Sequence, residues 1–589
     1  MTKFFCFFSV TKRRFFRCLN LLISRTLIQD HQLINIQHCL EQALAAQRSG
    51  NSPAALETID RAIRLAPRTA PLHDLRAQIL STLGRHPEAV EAAQRAVRLD
   101  PKSPTARRNL GDALLAAKRF DQAAQTYRLA RALDPTDVRV HRNLGLAYAG
   151  QLQWPEAAAA LRAALRLAPE DPGLHLSLGA ALDAAGDRPA SAASYAETLR
   201  RQPGNETAIN RLARSLIDQN RLDEAEAMLR AALPHRADVA TAWNDIGNSL
   251  ICQGRLEEAA ACIDQALARE PDLAVAHYNQ AVIAFGTGRY ANAWREWEWR
   301  WRRPGKSHPA LPGKPWNSEP LNNQRLLIHE EEGLGDYIQF CRFVPLAAEH
   351  CEVSLRVPPA LKRLVRSLKG AHTPFAPGTE PPCDLHISLL SLPAALNIDL
   401  ATLPTAPYLH PEPDLVASWR ARLAPLPGLR VGLAWAGNPA YVADHHRSLS
   451  PDLLSPFAGT PGVSFVSLQV GGAPWTMPSP EQRAALNLYD PTAELADLSE
   501  TAALIAALDL VITVDSALAH LAGAIGHPVW LLNRFNTDWR WLRGHVDSPW
   551  YPSMRIFAQK RPGDWSPVIA EASAALREIK SSEGKKHLF

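Results

Sequence analysis

Small and apolar positions recur through the first half of the chain with a single period. Pro67, Pro101, Pro135, Pro169 and Pro203 are evenly spaced with a period of about 34 residues, and Pro271 follows two periods on. Gly111, Gly145, Gly179 and Gly247 each precede one of these prolines by the same interval. Ala55, Ala89, Ala123, Ala157 and Ala259 precede them by a shorter constant interval, and Ala225 and Ala293 keep the same phase. The spacing predicts two antiparallel helices per unit. Small residues let the helices approach where they cross, and proline stops the second helix. After "ANAWREWEWRWRRPG" and the proline-rich connector "KSHPALPGKPWNSEP" the pattern changes to short apolar runs bounded by turns. Strands are predicted at "QRLLIHEE" and "CEVSLRVP", and "AHTPFAPG" and "CDLHISLLSLP" continue an αβ pattern. After the proline-rich "TLPTAPYLHPEPDL" come further strands at "LRVGLAWAG", "VSFVSLQ", "LDLVITV" and "HPVWLL". Helical stretches between them give two successive αβ units.

The helical half resembles the tetratricopeptide repeat (TPR), in about eight copies over residues 36–303. Three marker positions keep one period across most of this half. Such a solenoid offers a long concave face. Just ahead of the glycine positions, in the same phase, stand Asn109, Asn143, Ser177, Arg211, Asp245 and Asn279. This row is expected on one face, with Asn109, Asn143 and Asn279 able to bond an extended peptide of a protein partner. The alternative is a solvated face without a ligand.

The length calls for several cores. At 46% hydrophobic and 21% charged the chain has the composition of a folded protein, and a net charge of +5 makes no case for nucleic acid. Eight cysteines without CxxC or zinc-type spacing read as thiols in a reducing, cytoplasmic setting. Near the N-terminus, Phe4 to Val10 is a short apolar run followed by Lys12-Arg13-Arg14. It is too short to span a membrane and has no cleavage site after it. It reads as a frayed start or as a basic contact with the inner membrane face.

The α/β half excludes several chemistries. "GLGDYI" has Gly333 and Gly335, but Ile338 stands where a dinucleotide fingerprint needs glycine. There is no GxxxxGK[ST] and no D-x-D. Three strand–helix junctions remain: "EEGLGDYIQF", "GLAWAGNPAYVADHHRSLS" and "TVDSALAHLAGAIGHPVWLL". Together these resemble the ADP-heptose:lipopolysaccharide heptosyltransferase family (glycosyltransferase family 9), over about residues 322–580. The closing "NTDWRWLRGHVDSPWYPSMRIF" is similar to its TPR-fused branch.

That resemblance implies a GT-B fold of two Rossmann-like lobes and an inverting, metal-independent transfer from a nucleotide sugar, without a cofactor. It puts the catalytic base on Asp336, with Gly333 and Gly335 allowing close approach to the sugar. Asp515, Ser516, Ala517, Leu518 and His520 then occupy the donor-binding motif, and Arg447 faces the phosphates. Amides of about Ala517, Leu518 and Ala519 at the helix start are expected to receive the diphosphate. Ala517 replaces the family's usual glycine, where a positive φ would be strained. Ser516 as a mere cap, His520 as core packing and Asp336 as a helix-end carboxylate are the plainer readings. Trp539, Arg540 and Trp541 line a sugar or base site or, more simply, pack in the core.

The expected organisation is an N-terminal extension (1–35), the solenoid (36–303), a linker (304–321), an N-terminal lobe (322–410), a nucleotide-sugar-binding lobe (411–580) and a basic tail (581–589). The expected activity moves a sugar to a hydroxyl of a protein or of a bacterial cell-envelope glycan. The alternative is a non-catalytic TPR scaffold with a decayed transferase region.

Overall fold

The computed structural model describes residues 30–321, 323–370, 373–376, 378–441 and 443–581. The Phe4–Val10 run, Cys6, Cys18 and all but Ser581 of the basic tail lie outside the described residues. The protein divides into two compact units, residues up to 215 and residues from 216 onward.

The first unit is a run of helix pairs. Ala70–Thr82 pairs with His86–Leu99, Pro104–Ala116 with Phe120–Leu133, Val138–Gly150 with Trp154–Leu167, and Pro172–Ala184 with Arg188–Arg201. Second helices end at Leu65, Leu99, Leu133, Leu167 and Arg201, each just short of a marker proline. Proline disfavours helical backbone in the residue ahead of it. The marker glycines are demanded by contact between paired helices. A Cβ at Gly111 would sit 2.5 Å from the Tyr127 ring, one at Gly145 2.7 Å from Leu161, and one at Gly179 2.6 Å from Tyr195. Ala55, Ala89, Ala123 and Ala157 are fully buried at the same crossings. A further device closes the turns: His73, His141 and His175 donate through Nε2 to the carbonyls of Pro67, Pro135 and Pro169, at 2.9, 2.8 and 2.9 Å.

The second unit begins with more helix pairs, Val239–Gln253 with Leu256–Leu267 and Ala274–Gly286 with Tyr290–Trp297. Eleven strands follow among the described residues: β1 (Lys314–Pro315), β2 (Arg325–His329), β3 (Glu352–Arg356), β4 (Thr373–Phe375), β5 (Leu385–Ser388), β6 (Leu429–Ala434), β7 (Val463–Ser467), β8 (Leu488–Tyr489), β9 (Leu510–Val514), β10 (Val529–Asn533) and β11 (Met554–Ala558). They form two parallel sheets, ordered β1-β5-β2-β3-β4 and β11-β10-β9-β6-β7-β8. The proline-rich connector thus supplies an edge strand, the sheet position that tolerates proline. In each sheet the strand order reverses once, between β2 and β5 and between β6 and β9. Ligands of open parallel sheets bind outside the strand ends at such points.

One hydrophobic core joins the last helix pair (Phe285, Trp294, Trp297), the first sheet (Leu326, Ile328) and one face of the second (Val511, Leu531). A second core packs the other face under the helix Ser566–Ser581. Phe285 stacks on Trp539 with ring centroids 4.0 Å apart, and Trp550 Nε1 donates to Tyr290 Oη at 3.2 Å. Arg300 is buried and donates to both Glu331 oxygens at 2.8 Å and to Ser391 Oγ at 2.6 Å. These contacts bind the last helix pair to the loop that follows β2. No helix among the described residues is long and apolar enough to cross a membrane. Among the described cysteines Cys39, Cys252, Cys262, Cys341, Cys351 and Cys383 are free thiols.

Candidate active site

Each switch point supplies one wall. In the first sheet, β2 runs into "EEGLGDYIQF", and the helix Leu334–Phe340 starts with Gly333 as its cap. Asp336 Oδ2 accepts from the Gly333 amide at 3.1 Å, and its Oδ1 accepts from Arg540 Nη2 at 2.5 Å. Burial pushes the Asp336 carboxyl up; the Arg540 guanidinium pulls it down. Capping the helix and serving as a base are therefore not exclusive, since each carboxylate oxygen keeps a lone pair.

In the second sheet, β9 hands over at Asp515-Ser516 to the helix Ala517–Ala524. Ser516 is the cap. Its Oγ accepts from the Leu518 amide at 3.3 Å, and its carbonyl accepts from the Ala519 amide at 3.1 Å. Two of the three amides expected to face a diphosphate are thus used inside the first turn, which leaves the Ala517 amide for a ligand. Ala517 is absent from the positive-φ residues, so alanine is unstrained there, contrary to the expectation. Asp515 is buried, with Oδ1 accepting from Trp541 Nε1 at 3.0 Å.

Arg447 enters from the loop after β6. Its Nη1 donates to the Asp515 carbonyl at 2.9 Å and its Nε to Asp444 Oδ1 at 2.9 Å. Asp444 also receives Ser448 Oγ at 2.7 Å, and Ser448 Oγ receives the Gly437 amide at 2.9 Å. A Cβ at Gly437 would fall 2.3 Å from Asp444 Oδ1 and 2.7 Å from Arg447 Nε. The glycine of "WAGNP" is there to let this arginine fold back.

The two walls touch. A Cβ at Gly335 would meet His520 Cδ2 at 3.1 Å and Ala517 Cα at 3.5 Å, so Gly335 serves helix approach where sugar approach was expected. Gly333 faces only Asp336 Oδ2, at 3.5 Å. His520 is buried, is hydrogen-bonded through Nδ1 to Tyr551 Oη at 3.0 Å and stacks on Trp541. Burial, then Arg540, holds its imidazole well below the ordinary range, so it is neutral at physiological pH.

Sequence reasoning offers Arg540 as a sugar- or base-site residue or as core, and does not foresee that it joins the walls. Arg540 donates to Asp336, to Gln339 Oε1 at 2.5 Å and to Asp538 Oδ1 at 2.8 Å. Trp539 and Trp541 on either side of it are packed, as core residues are. A second, half-buried arginine, Arg534, follows β10 and lies in the field of Asp515 and Asp538. An arginine flanked by buried tryptophans was the available signal.

The asparagine row does not line an open groove. Asn279 Nδ2 donates to Asn244 Oδ1 at 2.9 Å, and Asn143 Nδ2 to Asp112 Oδ1 at 2.7 Å. Asn109 and Asn279 are 6% and 9% exposed, and Asn109 lies beside Asp74 of the preceding repeat. These amides stitch one repeat to the one before.

A tetratricopeptide-repeat family model matches residues 40–104, 75–138, 142–206 and 244–309, and a second such model matches 184–246. The glycosyltransferase family 9 (heptosyltransferase) model matches residues 489–537. Protein FlbA of Caulobacter vibrioides is 32% identical over 333 residues, covering 52% of this chain and 55% of FlbA. The chain therefore spans about half the length of the curated relative it matches. Among solved structures, YrrB, a TPR protein with an unusual peptide-binding site, is 20% identical over 32% of this chain and 98% of its own, with a TM-score of 0.29. TTC0263, a TPR protein of Thermus thermophilus, is 24% identical over 31% of this chain and 99% of its own, with a TM-score of 0.27. PilF of Pseudomonas aeruginosa is 19% identical over 41% of this chain and 100% of its own, with a TM-score of 0.31.

Proposed function

Starting from a tetratricopeptide-repeat chain joined to a family 9 glycosyltransferase segment, we propose that the second unit is a GT-B glycosyltransferase and that the repeats recruit a protein. The carrying observation is the Arg540 bridge. It holds Asp336, from one sheet's switch point, in a single partly buried charge cluster with Asp515 and Asp538 from the other. Perturbed carboxylates at paired switch points are what a transfer reaction between two lobes requires.

In this reading the acceptor hydroxyl of a protein or a cell-envelope glycan loses its proton to Asp336 as its oxygen attacks the anomeric carbon. The bond from that carbon to the diphosphate oxygen breaks, and its electron pair leaves with the nucleoside diphosphate. The charge growing there meets Arg447, Arg534 and the Ala517 amide, which does the neutralising work without a metal ion. Neutral His520 packs against Gly335 and Trp541 and sets how closely the lobes meet. The buried free thiols fit a reducing, cytoplasmic site of action.

One observation favours the scaffold reading: two of the three helix-start amides are internally bonded. A thermal-shift panel of ADP-, GDP-, UDP- and dTDP-sugars separates the two. A donor at about 100 times its dissociation constant stabilises by about 2.7 kcal/mol. The transferase reading expects one nucleotide class to shift the melt of the wild type and not of Arg447→Ala. It also expects nucleoside diphosphate release that Asp336→Ala abolishes. No shift and no release with any donor would overturn it in favour of the scaffold.

A further inference from the structure

Asp218 comes together with the adjacent pair His445 and His446, far from it in sequence. Asp218 is the last residue of the helix Glu206–Asp218, and the histidines end the short turn Asp444–His446 that leads into Arg447. One donor atom from each residue lies within 4.8 Å of the other two, and all three side chains are half-buried. His446 Nε2 is 3.9 Å from Asp218 Oδ1. The imidazoles of His445 and His446 lie with centroids 4.0 Å apart and planes 39° apart, so both rings turn to the same side of the turn.

We propose that these three side chains bind one divalent transition-metal ion of the zinc class. The donor set of two imidazole nitrogens and one carboxylate oxygen suits zinc and its neighbours; calcium and magnesium demand an all-oxygen cage. Bonds of about 2.0–2.1 Å in a tetrahedron put donor atoms about 3.3 Å apart. The Asp218–His446 separation closes to that by a fraction of an ångström, within the reach of side-chain rotation. Three protein ligands leave the fourth position to water. The carbonyl end of the Glu206–Asp218 helix adds its negative dipole end to the Asp218 carboxylate. The cation Arg534 lines the same small pocket as Asn220, Phe535 and His446; Asp515 and Asp538 offset it.

The position gives the ion a consequence. His446 is followed directly by Arg447, whose guanidinium spans Asp444 and the Asp515 carbonyl. An ion bridging Asp218 to this turn ties the end of a repeat helix to the loop that carries Arg447. The site stands on its own geometry and holds whether or not the transferase reading does.

The test uses the full chain, stripped with a chelator, loaded with an equimolar amount of Zn(II), desalted and assayed for bound metal. Affinity is then measured by competition with a chromophoric chelator. The expected result is about one retained ion and a zinc-dependent rise in melting temperature. The His445→Ala/His446→Ala pair should bind at least tenfold more weakly and lose that rise, while exposed His410→Ala should behave as wild type. Should the double variant not fold, Asp218→Asn carries the same expectation. Retention below about a tenth of an ion, or equal retention by the wild type and the cluster variants, overturns the site. In those cases Asp218 and His446 form no more than an ion pair.

Discussion

Replacing Arg540 with glutamine removes the one cation that Asp336, Gln339 and Asp538 share. Arg540 is 8% exposed, and its bonds to Asp336, Gln339 and Asp538 span both sheets. Breaking a buried ion pair from one side costs about 3–5 kcal/mol, because the abandoned carboxylate stays desolvated. The Asp336 and Asp538 side chains keep 26% and 28% exposure, so water recovers part of that loss and the lower end, about 3 kcal/mol, is expected. Arg540→Lys should recover only part of it, since an ammonium cannot serve three partners in a planar fork. Denaturant unfolding followed by tryptophan fluorescence reads the change directly, because the Arg540 guanidinium lies 4.3 Å from the centre of the Trp539 ring. A second readout concerns Asp336. Its carboxyl is already pushed up by burial and pulled down by Arg540. Without the guanidinium it rises further, and a base with a higher pKa is ionised only at higher pH. The acid limb of the transfer rate should therefore move to higher pH in Arg540→Gln. An unchanged unfolding midpoint together with an unmoved acid limb would refute the bridge.

Three further outcomes test the packing. Gly335→Ala should destabilise by about 1–3 kcal/mol, as its Cβ is forced to 3.1 Å from His520. Gly333→Ala, with φ −78° and open surroundings, should stay within about 1 kcal/mol, and calorimetry of the pair compares them. Gly111→Ala should destabilise the first unit by a similar amount, about 1–3 kcal/mol, since its Cβ meets the Tyr127 ring at 2.5 Å; circular dichroism melts check it. Asp74 is held up at about 7, chiefly by burial, against an ordinary 3.8. The folded state keeps a proton that the unfolded chain releases, so stability falls as pH rises from about 4 to about 7. The loss is complete above that, at most about 4 kcal/mol at about 1.36 kcal/mol per unit. Asp74→Asn should stabilise at pH 8 and flatten the slope; equal urea midpoints for the two proteins at pH 5 and at pH 8 would rule this out.

Features set by near neighbours were legible in the sequence. A marker glycine meets a side chain on the next helix of its own repeat, and a proline stops its own helix, so one period of sequence contains both halves of the contact. The six apolar runs read as strands each coincide with one, because an apolar run buried on both faces of a parallel sheet needs no partner to be recognised; β4 and β5 fall in the two runs read only as continuing the αβ pattern. The very short β1 and β8 carry too little pattern to stand out, and β11 lies in the closing segment, where no strand is predicted.

What the sequence by itself determined is the repeat, its helix pairs, the strands and the junctions at which polar residues interrupt them. Only the tertiary structure decided how those polar residues are used. The asparagine row keeps its phase, yet the stacking of successive repeats sets its amides on polar side chains of the repeat before. Arg540 meets Asp336 from far along the chain, and two helix starts from different sheets press Gly335 against His520. The physical reason is range. Backbone propensity and hydrophobic burial act on residues within a turn or a period, so they leave a local trace. The bonds that join the two walls, such as Arg540 to Asp336, are set by which surfaces the whole chain brings together, and no short stretch of sequence contains both partners.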